Sequence, residues 1–308
     1  MTRVKIASGA IPGAQFLDPV VLSRIGNLEL LARSVVEGFI AGLHSSPFLG
    51  LSVDFAEHRP YMPGDDIRKV DWRVYARTDR FYIKEYEAET NANVFFALDL
   101  SRSMDYGSRG ITKLEYGKYL TACLAYLSAS QRDRVGAAVF GEELGEYIPP
   151  SIRHRRLVLH ALDRAEPEPA GDLVRPLAQI AESLKRRGLV VLVSDLYAEM
   201  QQVLDAVGAL RAKGQDVIVF HLLDPSEIDF PFDRPRSFED LETGERLPVT
   251  PEEMRAEYLE LLQGHVGELA RRLTERQVDH ELVDTSTPLD GALFRYLSYR
   301  SRRLKGKM

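Results

Sequence analysis

From residue 94 onward the chain alternates two apolar patterns. Short continuous apolar runs occur at Val94–Leu98, Val135–Phe140, Leu189–Val193 and Val217–Leu223. Runs of this length bounded by polar punctuation predict buried strands. Between them, apolar positions recur at three- and four-residue spacing, which predicts helices over about Lys113–Ser130, Arg153–Arg164, Leu173–Arg187 and Met200–Lys213. Gly214 is placed to end the last of these. Leu144–Ile148 reads as a short edge strand stopped by Pro149-Pro150. Thr250-Pro251-Glu252-Glu253 opens a helix running to about Arg276, followed by a strand over His280–Val283 and a helix over Pro288–Leu304. Alternating strands and helices predict an α/β protein: a mostly parallel sheet with helices on both faces. The strands at Val94 and Leu189 are expected to be neighbours near its centre.

The first ninety residues read differently. Residues 1–22 carry little periodicity, and Ser23–Leu43 reads as a helix capped by Ser23. Alternation over Leu51–Phe55, a Pro63-Gly64-Asp65-Asp66 turn and a strand-like Phe81–Tyr86 suggest a small β module. The expected division is an N-terminal helix and β module over 1–92 and a sheet domain over 93–308. Within the latter, 225–248 reads as a hairpin insertion turning at Thr243-Gly244, with Phe230, Phe232 and Phe238 packing it down.

Composition narrows the function. A net charge of −6 argues against nucleic acid as the main partner. The single cysteine, Cys123, excludes an internal disulfide and a Cys₄ zinc site, and reads as a buried apolar residue. No apolar run approaches a membrane span and no secretory signal is visible, so the expected location is cytoplasmic.

The candidate chemistry sits where the first buried strand ends. VFFALDLSRSM runs apolar and then carries Asp99, Ser101 and Ser103 at alternate positions. In an open α/β sheet, residues just past the strands' carboxyl ends line the ligand crevice. One carboxylate and two hydroxyls supply hard oxygens with little charge, which suits Mg²⁺ or Mn²⁺ in a shell that a partner completes. Asp195, ending Leu189–Ser194, falls at the same edge and is a further ligand candidate. The plainer alternative makes Asp99 and Asp195 helix caps.

This stretch resembles the DxSxS signature of von Willebrand factor A domains and their metal-ion-dependent adhesion site. That family adds a Thr from a second loop and an Asp from a third. Asp195 matches the third; in the second, Gly171 stands where the Thr is expected, so either Asp172 substitutes or the position is unfilled. The resemblance implies a von Willebrand factor A-like, Rossmann-like fold and a metal set of Asp99, Ser101, Ser103, Asp172 and Asp195.

A second resemblance lies upstream. Glu57, Arg59, Tyr61, Pro63, Gly64, Asp65, Asp66, Arg68, Asp71, Trp72, Ala76 and Arg77 match the long motif of the bacterial family called domain of unknown function 58. Its arginines and acids read as an ion-pair network; Trp72, Tyr61, Tyr75 and arginines alternatively make a docking face, and the plainer reading of Trp72 is burial where the β module meets the main sheet. Relatives are commonly encoded beside MoxR-type AAA+ ATPases, so the resemblance implies such an ATPase, with a protein client, as partner.

These features point to a non-enzymatic, metal-dependent protein-binding adaptor. The alternative is a Mg²⁺-dependent phosphatase of the haloacid dehalogenase type, which needs a general acid two positions after its nucleophilic Asp; here that position is Ser101. There is no G-x-S-x-G elbow and no phosphate-binding P-loop.

Overall fold

The computed structural model describes residues 18–45, 57–61, 75, 77, 80–85, 92–169, 173–241 and 243–305. In chain order the elements begin with helices α1 (Pro19–Leu22) and α2 (Leu28–Ser45), then strands β1 (Glu57–Pro60), β2 (Tyr82–Glu85) and β3 (Asn93–Asp99). Next come α3 (Lys113–Ser130), β4 (Arg134–Phe140), β5 (Leu144–Ser151), α4 (Arg155–Arg164) and α5 (Val174–Ser183). They are followed by β6 (Leu189–Ser194), α6 (Met200–Ala212), β7 (Asp216–Leu223) and α7 (Pro225–Asp229). The chain closes with β8 (Arg236–Glu239), β9 (Arg246–Val249), α8 (Pro251–Glu275), β10 (Asp279–Asp284) and α9 (Leu289–Lys305).

Six strands form one sheet in the order β10-β7-β6-β3-β4-β5. All neighbours run parallel except β4 and β5. The mostly parallel α/β sheet expected from the sequence is thus present, and β3 and β6 are central neighbours. Strand alternation splits the core between two faces. Val94, Phe96 and Leu98 pack with side chains of α2, α3, α4 and α9, whereas Phe95 and Ala97 pack with α5, α6 and the end of α8. Parallel strands covered on both sides must be apolar throughout, which is why they read as continuous runs.

Four local expectations are corrected. The N-terminal helix is two: Asp18 caps α1, accepting from Val20 N at 2.8 Å, and Asn27, not Ser23, accepts from Leu30 N at the start of α2. Leu28, Leu31, Val35 and Phe39 of α2 join the sheet's core. Strand β5 runs through Pro149-Pro150 instead of stopping at them, because an edge strand can spare donors on its outer side and its pairing with β4 is irregular there. Opposite it, a Cβ on Gly136 would lie 2.6 Å from Ile148 O and Pro150 N, so only glycine lets the strands approach. Helix α5 ends at Ser183, short of Arg187. The segment Pro225–Asp229 is helical, held by a capping box between Asp224 and Glu227.

The 225–248 region carries the β8–β9 hairpin, with Phe230, Phe232, Phe238 and Tyr258 in one aromatic cluster. Strands β1 and β2 pair with each other, apart from the main sheet. The expected strand at 51–55, the Pro63–Asp66 turn and Arg68, Asp71 and Trp72 lie outside the described residues.

Candidate functional site at the carboxyl edge of the sheet

Asp99 closes β3 with its side chain turned inward. The register pairs Leu98 with Val193, which brings the next residues, Asp99 and Ser194, level. Ser194 Oγ donates to Asp99 Oδ2 at 2.5 Å, and Ser101 N donates to Asp99 Oδ1 at 2.9 Å. A short 3₁₀ turn, Arg102–Asp105, starts after Ser101 and is anchored by fully buried Met104. It sets Ser103 beside Ser101, their hydroxyl oxygens 3.1 Å apart. Asp195 follows β6; its Oδ1 accepts from Tyr197 N at 3.3 Å. Asp99, Ser101, Ser103 and Asp195 therefore share one edge of the sheet, all nearly buried. Burial, then the neighbouring Asp195 charge, pushes the Asp99 carboxyl up to about 6.

The second loop passes beside the first. Glu168 N donates to Leu100 O at 2.7 Å, and Ser101 bridges to Glu168. Asp172 itself lies outside the described residues.

The Asp-x-Ser turn alone is not distinctive. Asp224 receives Ser226 N, and Asp284 receives Ser286 N, each at 2.8 Å, at the ends of β7 and β10. Such a turn simply satisfies backbone donors where a strand stops. What sets Asp99 apart is its central position, the second serine and the nearby Asp195.

Sequence reasoning missed Lys113. Its Nζ donates to Asp195 Oδ2 at 2.8 Å and to Glu227 Oε1 at 2.7 Å, and the residue is 2% exposed. Burial alone works against the ammonium; Asp195 and then Glu227 more than offset it and hold the pKa above lysine's usual value. A signal was available: Lys113 is the first residue of a helix, where the dipole disfavours positive charge, so a carboxylate partner is called for. Ser194 and Glu227 were also missed. His221 is buried against His280, their ring nitrogens 3.3 Å apart.

The donor set fits a hard divalent ion in part. Adjacent oxygens around an octahedral Mg²⁺ lie about 3.0 Å apart, close to the 3.1 Å between Ser101 and Ser103. Asp99 supplies a carboxylate beside them. Asp195 fits less simply, because Lys113 already engages one of its oxygens. Among the described residues no three His, Cys, Asp or Glu side chains gather into a metal cluster, so an ion here would rely on hydroxyls.

A parallel sheet with one antiparallel edge, helices on both faces and a DxSxS turn at the end of its central strand defines an α/β protein of the von Willebrand factor A-like type. The family model described as protein of unknown function DUF58 matches residues 57–266. The chain belongs to that family.

It is similar to the uncharacterized protein Rv1480 of Mycobacterium tuberculosis, 24% identical over 263 residues, covering 83% of this chain and 82% of that protein. Among solved structures it is similar to BatB from Bacteroides thetaiotaomicron, with 16% identity, a TM-score of 0.46 and coverage of 68% of this chain and 99% of that one. The SpRpn10 VWA domain matches at 11% identity and a TM-score of 0.37, covering 65% of this chain and 92% of that one. Among the described residues no helix is long and apolar enough to cross a membrane.

Proposed function

We propose that this chain is a non-enzymatic protein-binding adaptor whose contact edge is the carboxyl rim of the sheet, made competent by Mg²⁺ or Mn²⁺. The observation carrying this reading is the Ser101–Ser103 hydroxyl pair beside Asp99 at the end of the central strand. Asp99, Ser101 and Ser103 would hold the ion; Asp195, and Asp172 in the second loop, are the further candidates. The bound ion supplies an electrophilic centre that an acidic side chain of the partner completes. By the family resemblance, that partner is a MoxR-type AAA+ ATPase, with the adaptor presenting a protein client for remodelling in the cytoplasm.

Nothing in the geometry favours the phosphatase reading. A serine stands where the general acid would be.

The test is titration of the purified chain with Mn²⁺, followed by calorimetry. We expect saturable one-site binding that Asp99→Ala weakens at least about tenfold, and chelator-sensitive capture of the ATPase lost in the same variant. Capture unaffected by chelator and by Asp99→Ala would refute the metal-dependent reading.

A further inference from the structure

The rim holds its own cation. The Lys113 ammonium holds two carboxylates, Asp195 and Glu227, and the Asp195 charge also acts on Asp99, so among these four described side chains an excess of two negative charges remains when all are ionised. That excess equals the charge of one divalent ion. The two carboxylates on Lys113 are not equivalent. The Asp195 side chain is 2% exposed and its charge acts on Asp99, whereas that of Glu227 is 27% exposed and belongs to α7.

Glu227 is fixed independently of the lysine. Its Oε2 accepts from Asp224 N at 2.7 Å, leaving Oε1 for Lys113. Tyr258 OH donates to Glu227 O at 3.0 Å, and Tyr106 OH pairs with Ser226 Oγ at 2.7 Å, so the short helix is pinned from two sides. The backbone of Lys113 is equally fixed, by the Thr112–Glu115 capping box. The Lys113 ammonium holds Asp195 and Glu227 at the same time, so release of one carboxylate leaves the other in place.

Resting on the metal reading above, we propose that Lys113 is a resident counter-cation that competes with a divalent ion for Asp195, and that Glu227 retains the lysine when the ion displaces it. Lys113 thereby sets the ion's affinity, and Glu227 makes the exchange less costly. Loss of an ion lets the ammonium return, so Asp195 is not left as an uncompensated buried charge, the most expensive state available to it. The exchange also ties the ion to α7, because the lysine's hold on Glu227 changes with it.

The experiment measures Mn²⁺ affinity by calorimetry or by the spin resonance signal of free Mn²⁺, on the full chain and on Lys113→Met, Glu227→Gln and their combination, with circular dichroism to verify folding. Lys113→Met is expected to bind Mn²⁺ about tenfold or more tightly than the unaltered chain. Glu227→Gln is expected to bind about threefold or more weakly, and to have no effect once Lys113 is gone. The double comparison separates exchange from bulk electrostatics, which would lower affinity equally in both backgrounds and so overturn the role of Glu227. Unaltered affinity in Lys113→Met, with the native chain binding, overturns the competition while leaving the metal reading intact. Mn²⁺ binding by Lys113→Met alone, lost again on adding Asp99→Ala, supports competition in its strongest form. Binding by none of these proteins overturns the metal reading and this inference with it. If Lys113→Met does not fold, Lys113→Gln, which keeps a donor, replaces it in the same scheme.

Discussion

At the scale of single residues, the buried histidines make the clearest solution prediction. Burial, then the neighbouring His280, holds His221 down to about 3, and burial holds His280 at about 4. Both are neutral in the folded chain at pH values where the unfolded chain protonates them. Below the ordinary imidazole pKa of about 6.5 the unfolded state binds more protons, so stability falls as pH falls towards those lowered values. Each histidine contributes on the order of 2 kcal/mol of that loss between about pH 6.5 and 5. Urea midpoints measured across this range should fall less steeply for His280→Gln than for the native chain; equal slopes would contradict the assignment. The candidate ligands were legible for a related reason: Asp99, Ser101, Ser103 and Asp195 each follow an unbroken apolar run, and strand ends are marked in sequence. Lys113 was not legible as their partner. Its pairing with Asp195 and Glu227 spans 82 and 114 residues, and no periodicity encodes a contact of that range.

At the scale of elements, periodicity located the helices and buried strands, while ends depended on chemistry outside the pattern. Helix α3 starts where expected because Thr112 and Glu115 form a reciprocal cap. Helix α2 starts later because Asn27 outcompetes Ser23, whose hydroxyl instead donates to Val20 O. The prolines of β5 misled because their effect depends on whether a strand lies inside or at the border of a sheet, a fact of topology. The fit between β4 and β5 gives a direct test. Gly136→Ala would drive a methyl into Ile148 O and Pro150 N, and should destabilise the chain by about 1–3 kcal/mol in chemical denaturation. Gly208→Ala, on α6 with nothing within 4 Å of the added atom, is the matched control and should not destabilise.

At the scale of the whole molecule, an ion pair fastens the last helix to the sheet. Arg300 of α9 pairs with Asp133, which is fully buried just before β4 and also accepts from Ala92 N at 3.0 Å. Tyr296 from the same helix meets Ser128 Oγ at 2.7 Å. Arg300→Met would strand a buried carboxylate and should cost roughly 3–5 kcal/mol. Adding Asp133→Asn should recover part of that loss, and a double variant no more stable than Arg300→Met would argue against the pair. The overall architecture was legible because every strand of the sheet except β5 and β10 is apolar along most of its length, whereas this tether joins residues far apart in sequence. The proline-bearing border strand has a further consequence. Pro149 and Pro150 offer no amide hydrogen, so a strand from a second molecule cannot extend the β ladder smoothly along that side. The same two residues that break the expected pattern thus blunt this border of the sheet against pairing with a further strand.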